Sequence, residues 1–150
     1  MNSDKKITDN VHFSSEDQTW TTPQEFYDKL NEEFNFSLEP CCSKESAKCE
    51  KFFTEEDDGL KQDLSNDVVF MNSPYGREIP QWIEKAHNEY LKGATVVCLI
   101  PSRTDTRYWH NWIFPLYYEN KIEIRFLKGR LKFGNAKTSA PFPSVVIVYK

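Results

Sequence analysis

Asn72-Ser73-Pro74-Tyr75 is the stretch of this 150-residue chain whose residue types suit a definite chemistry. An amino group conjugated to a ring or a carbonyl is a poor nucleophile, because its lone pair is delocalised. Two acceptors aimed at its two hydrogens favour a pyramidal nitrogen and stabilise the positive charge that develops on attack. The Asn72 side-chain oxygen can be one acceptor and the Ser73 backbone carbonyl the other. Pro74 restricts Ser73 to an extended conformation, which fixes where that carbonyl points. Tyr75 can stack on a flat base, a contact worth roughly 1–3 kcal/mol. This set suits methyl transfer to the exocyclic amine of an adenine drawn out of its duplex. It suits equally an amine of cytosine or the side-chain amide of a protein glutamine. No nucleophilic side chain is needed if the methyl donor is an activated sulfonium; positioning and aimed dipoles suffice. The same four residues are common in turns, so a plain turn after a strand is the competing reading.

Other chemistries find less support. No Ser/His/Asp or Cys/His set stands out. Cys41, Cys42, Cys49 and Cys98 make a poor disulfide framework, and no second knuckle of ligands follows the first three. His87 and His110 stand alone, so no metal is expected, and the thiols read as small core or site-lining groups.

The loop must be held by its neighbours. Val68 to Met71 is a buried-type strand that leads into it. Thr22-Pro23-Gln24-Glu25 is a helix start, with Thr22 as cap, Pro23 in the first turn and Glu25 closing a capping box. That helix runs to about Phe34. Residues 35–39 form a short strand ending on Glu39, and 51–54 another. A second helix begins at Pro80 and stops at Gly93. Ala94 to Ile100 is a strand closed by Pro101. Residues 104–114 look helical, 121–127 alternate as a strand, 130–133 can pair back, and 144–149 are a final apolar strand. Strands alternating with helices and then clustering at the end predict an α/β sheet, parallel in its body, with an antiparallel strand near the C-terminus. Ligands of such sheets bind where loops leave the C-terminal strand ends, as Glu39, Asn72 and Pro101 do.

Residues 1–16 are polar and aperiodic and read as a flexible leader, with one domain over 17–150. The longest apolar run, Thr95 to Pro101, is far short of a membrane span, and the first ten residues lack a secretory core, so an intracellular protein is expected. Net charge is −4, which alone disfavours a nucleic-acid partner. The halves differ, however: residues 1–75 carry net −10 and residues 76–150 net +6, so the second half can face phosphates. Arg103, Arg107, Trp109 and His110 follow the strongest strand, and can hold the phosphodiester or the flipped base; the alternative puts Trp109 in the core. Arg125, Lys128, Arg130, Lys132 and Lys137 form a second basic stretch, a backbone-contacting loop or a solvated hairpin. Ala136 to Pro143 is placed to cover the site.

Several ordered segments now carry a resemblance. They are Trp20-Thr21-Thr22-Pro23, Phe36-Ser37-Leu38-Glu39, Ala47-Lys48-Cys49, Phe53-Thr54, Asp58-Gly59-Leu60 and Gln62-Asp63, then Asn72 to Gly76, Pro101 to Thr106, Gly129 to Gly134 and Ala140 to Ser144. The chain resembles the phage-type, Dam-like DNA N-6-adenine methyltransferases over about residues 19–150. The resemblance implies a Rossmann-like, S-adenosylmethionine-dependent methyltransferase fold whose catalytic domain acts on double-stranded DNA in a bacterial or phage-infected cytoplasm. It implies that Thr22 and Pro23 line the cofactor pocket, beside Glu39, Pro40 and Asn72, and that Asp63 contacts the cofactor adenine. Glu39 stands where the family usually has aspartate, and the sequence departs in two further ways: Ser73 replaces proline, and Glu39-Pro40-Cys41-Cys42 lacks the glycines with which many methyltransferases approach their cofactor. One short domain leaves little room for target recognition, and a homodimer would extend the contact surface. The remaining alternative is a methyltransferase-like binding module without turnover.

Overall fold

Four short runs rich in valine and isoleucine build the sheet: β1 (Val68–Met71), β2 (Thr95–Pro101), β3 (Ile122–Phe126) and β4 (Ser144–Tyr149). The computed structural model describes residues 21–134 and 139–150. Strand order is β1-β2-β4-β3. β1 pairs with β2 in parallel, and β4 pairs antiparallel with both β2 and β3. Hence β1, β2 and β3 point one way and β4 runs back between the last two. The sheet is mixed: its parallel body is the β1–β2 pair, and the antiparallel C-terminal strand lies inside the sheet. Two isolated parallel bridges, Leu38 to Val69 and Glu39 to Phe52, continue the β1 direction outward. They are what the expected strands at 35–39 and 51–54 become.

Both sheet faces are buried, and the alternation of side chains sorts them. Val69, Met71, Val96, Cys98, Ile100, Val145, Ile147 and Tyr149 point to one face. There they meet α2 (Ile79–Leu91) through Trp82, Ile83 and Ala86, and α3 (Phe114–Tyr118) through Leu116. Phe70, Val97, Leu99, Val146 and Val148 point to the other face, against Tyr27 and Leu30 of α1 (Gln24–Phe34). Each fully buried aliphatic side chain contributes about 1.5–3 kcal/mol of transfer free energy.

The helix ends follow local chemistry with one exception. Asn35 ends α1 in the left-handed region at φ 57, its N–H donating to the Asn31 carbonyl. Gly93, at φ +116, terminates α2, as expected from a residue without Cβ. The exception is Thr22, which does not cap α1: Pro23 is the N-cap residue and no side chain caps the helix. The helix expected over 104–114 forms from residue 107 onward, and its π-helical stretch, Trp109–Ile113, runs into α3. Pro115 in the first turn of α3 lacks an N–H to continue a regular ladder. The strand expected at 130–133 does not form among the described residues; Leu131 only accepts the Ala140 N–H, at 2.8 Å.

Candidate active site

β1 carries its apolar side chains into the core as far as Met71 and then releases Asn72-Ser73-Pro74-Tyr75 at its C-terminal end. Because β2 and β3 run the same way, the loops after Pro101 and Phe126 leave the same edge, where β4 begins. The loops after β1, β2 and β3 and the start of β4 therefore converge there.

Thr22 is 5% exposed, and its Oγ1 accepts a hydrogen bond from Asn72 Nδ2 at 2.8 Å. This contact replaces the expected capping bond. It pins the Asn72 amide, with the nitrogen toward Thr22 and Oδ1 at the opposite corner. Ser73 beside it is 3% exposed. The Tyr75 ring lies 5.3 Å from Phe142 and 5.9 Å from Phe133, the latter edge-on. Burial raises the Tyr75 pKa well above the usual phenol range; nearby Tyr108 pushes it up further and Arg103 opposes the shift. Tyr75 is therefore a neutral phenol at physiological pH. The Arg103 guanidinium sits 5.6 Å over the Phe142 ring. The Gly134 N–H donates to the Thr21 carbonyl at 2.8 Å and the Ser102 N–H to the Pro143 carbonyl at 3.0 Å, tying these loops together.

Glu39 occupies the neighbouring strand end, since Leu38 bridges Val69 in parallel. Its carboxylate is 6% exposed and accepts the N–H groups of Lys48 and Cys49. Burial raises its pKa, and these N–H donors oppose the shift. Cys49 Sγ in turn lies 3.2 Å from the Tyr27 hydroxyl of α1. Glu39 thus closes the 40–50 loop against the first helix. Pro40 is buried, and its carbonyl packs so tightly on Gly59 that a Cβ there would lie 2.0 Å from the oxygen.

Thr22, Pro23, Glu39, Pro40 and the four loop residues are thus gathered at one edge. Asp63 is not. It is exposed near the start of β1, the opposite edge, where its Oδ1 accepts from Ser65 N–H at 3.0 Å and Ser65 Oγ at 2.6 Å. Of the two readings of Trp109, its 0% exposure selects the core, where it packs with Ile113 and Phe114. Its indole is worth more buried than exposed. Arg103, Arg107, His110, Arg130 and Lys132 are exposed, His110 with its ring 5.2 Å from Phe114. Arg125 grips both oxygens of Glu33 at 2.7 and 2.6 Å and also Glu123, so it braces β3 on α1. Lys137 lies outside the described residues, as do 1–16 and part of the 136–143 loop; Ala140 and Phe142 of that loop are buried.

Sequence reasoning missed Phe133, Phe142 and Tyr108 as the surroundings of Tyr75. The first two sit in segments already singled out, Gly129 to Gly134 and Ala140 to Ser144. It also missed exposed Arg77, directly after the loop. The thiols offer no nucleophile: burial pushes Cys42 up to about 12 and Cys41 and Cys98 well above the usual range. Among the described residues no three His, Cys, Asp or Glu side chains form a metal-binding group, and no helix is long and apolar enough to cross a membrane.

The arrangement brings together the Asn72 amide, held through its nitrogen by Thr22, the buried Ser73 and the Tyr75 ring. Comparison with known proteins points the same way. The family described as DNA N-6-adenine-methyltransferase matches residues 9–145. The chain is also similar to the DNA N-6-adenine-methyltransferase of Haemophilus phage HP1 (strain HP1c1), at 27% identity over 127 residues, covering 83% of this chain and 70% of that protein.

Proposed function

The chain belongs to the DNA N-6-adenine-methyltransferase family, and from that premise we propose that it transfers a methyl group from S-adenosylmethionine to the exocyclic amine of an adenine flipped out of double-stranded DNA. The observation that carries this reading is the Asn72 amide, pinned by Thr22 at 2.8 Å at the end of β1.

The sheet supports a Rossmann-like methyltransferase fold. The Leu38 and Phe52 bridges, β1 and β2 continue one direction, and β4 inserts antiparallel before β3. The residues at the edge fit the donor chemically. Its ammonium, hydroxyls and sulfonium are favoured beside acceptors such as Glu39, Asn72 and the Ser73 carbonyl, while its carboxylate needs N–H or O–H donors. When bound, it supplies a methyl group on a cationic sulfur that departs as a neutral thioether. Thr22, Pro23, Glu39 and Pro40 would line its site. Asp63, capping Ser65 at the far edge, takes no part in this proposal.

The chain's own residues do the rest. Asn72 Oδ1 and the Ser73 carbonyl accept the two amine hydrogens, so the nitrogen lone pair localises toward the methyl carbon. A nitrogen methylated there would carry one proton too many, and one of the two protons gripped by Asn72 Oδ1 and the Ser73 carbonyl would pass to water. Tyr75, braced by Phe133 and Phe142, stacks on the base. Arg103, Arg107 and His110 after β2, and Arg130, Lys132 and Lys137 after β3, contact the phosphodiester and steer DNA despite the net charge of −4. A second copy would lengthen that contact. The reaction belongs in the cytoplasm of a bacterial or phage-infected cell, where both substrates occur.

The test is transfer of tritium from methyl-labelled S-adenosylmethionine into duplex DNA, followed by nucleoside analysis. Label in N6-methyl-2′-deoxyadenosine supports the proposal. Label in a cytosine nucleoside or in protein, or none in DNA, contradicts it.

A further inference from the structure

Thr22 and Asn72 are 50 residues apart in the chain, and their hydrogen bond joins the start of α1 to the end of β1. Both flanks of Thr22 are held: the Thr21 carbonyl accepts the Gly134 N–H at 2.8 Å, and the Pro23 carbonyl accepts the Tyr27 N–H at 3.1 Å. Thr22 is therefore a rigid, buried anchor. An asparagine amide needs one. Its oxygen and nitrogen are nearly the same size, and rotation about χ2 exchanges an acceptor for a donor. A donor turned toward a substrate amine repels its hydrogens and cannot stabilise positive charge on the nitrogen.

We infer that Thr22 is the positioning residue of the catalytic amide: its hydroxyl holds Asn72 Nδ2 and so aims Oδ1 at the substrate amine. The inference rests on the function proposed above, and assigns Thr22 a role in the chemical step distinct from lining the cofactor pocket. The Thr22 hydroxyl is taken up by the Asn72 amide, while the rest of the residue stays at the donor's site, so loss of the hydroxyl acts on turnover.

The test compares Thr22→Val, Thr22→Ala and Thr22→Ser with wild type and with Asn72→Ala. Readouts are kcat, the KM values for DNA and S-adenosylmethionine, S-adenosylhomocysteine affinity by calorimetry, and thermal unfolding. Thr22→Val keeps the shape and removes the hydroxyl, and kcat falls on the order of 10–100-fold with little change in KM or in S-adenosylhomocysteine affinity. Thr22→Ala, which needs no fit of a branched side chain, shows the same split if Thr22→Val unfolds. Thr22→Ser keeps the oxygen and stays within about threefold of wild type. Wild-type kcat in Thr22→Val or Thr22→Ala overturns the inference. So does weakened S-adenosylhomocysteine binding with unchanged kcat, which makes Thr22 a cofactor contact only, and so does a Thr22→Ser protein as slow as Thr22→Val. An active Asn72→Ala protein is a different failure: it removes the proposed catalytic loop itself.

Discussion

Glu39 Oε1 accepts the Cys49 N–H at 2.9 Å, so a buried carboxylate at one strand end closes a loop ten residues further along the chain. Burial holds its pKa above the ordinary glutamate value, against the pull of the Lys48 and Cys49 N–H groups. The folded protein thus binds this proton more tightly than the unfolded chain. Its contribution to stability grows as pH falls through the raised folded-state pKa, and is lost as pH rises through it. Glu39→Gln keeps an acceptor and buries no charge, so its melting temperature at neutral pH equals or exceeds that of wild type. The gap between the two closes as the medium is acidified. Glu39→Ala strands both N–H groups and costs about 2 kcal/mol. Thermal unfolding from roughly pH 4 to 7 checks all three.

Tyr75 is both a part of the proposed site and a packing group, because its ring leans on Phe133 and Phe142. Tyr75→Ala therefore abolishes methyl transfer and also lowers stability by about 2 kcal/mol. Tyr75→Phe keeps the ring and the stacking surface. With the phenol held neutral by burial, loss of the hydroxyl leaves kcat within about threefold. Paired kinetics and denaturant unfolding separate the two roles.

Trp109→Ala destabilises by about 3–5 kcal/mol, the cost of emptying a fully buried indole site. Its affinity for DNA, measured on protein that remains folded, is unchanged. Chemical denaturation followed by fluorescence reads the stability directly.

Basic residues divide by what already holds them. Arg125 is gripped by Glu33 and Glu123, whereas Arg103 and Arg130 are exposed on loops at the site edge. Arg103→Ala or Arg130→Ala weakens DNA binding and lowers the slope of log affinity against log salt by about one. Arg125→Ala leaves that slope unchanged and costs up to about 1 kcal/mol of stability. Titration of DNA binding across salt concentrations discriminates them.

The sequence made some of this legible and hid the rest for physical reasons. β1 and β4 match the expected 68–71 and 144–149, because uninterrupted apolar runs bounded by loop residues have little else to be. The Asn72 loop was legible for the same reason, standing directly after such a run. Thr22 was misread as a cap because capping is a local pattern, while its partner lies far along the chain. Trp109 was ambiguous because several aromatic residues crowd one turn, and which of them faces the core depends on a π-helical register that no periodicity announces. Asp63 looked eligible by order along the chain; the sheet puts it at the edge opposite the Asn72 loop, where it bonds Ser65. The strands expected at 35–39 and 51–54 were legible in direction but overstated in length, and they survive as the single bridges Leu38 to Val69 and Glu39 to Phe52.

Single-turnover methyl transfer by Asn72→Ala, with S-adenosylhomocysteine affinity measured on the same protein, tests the central claim most directly. A rate lowered on the order of 100–1,000-fold or more, with product affinity and melting temperature preserved, is the predicted result. A rate equal to wild type would contradict it, and place the acceptor for the adenine amine somewhere other than the end of β1.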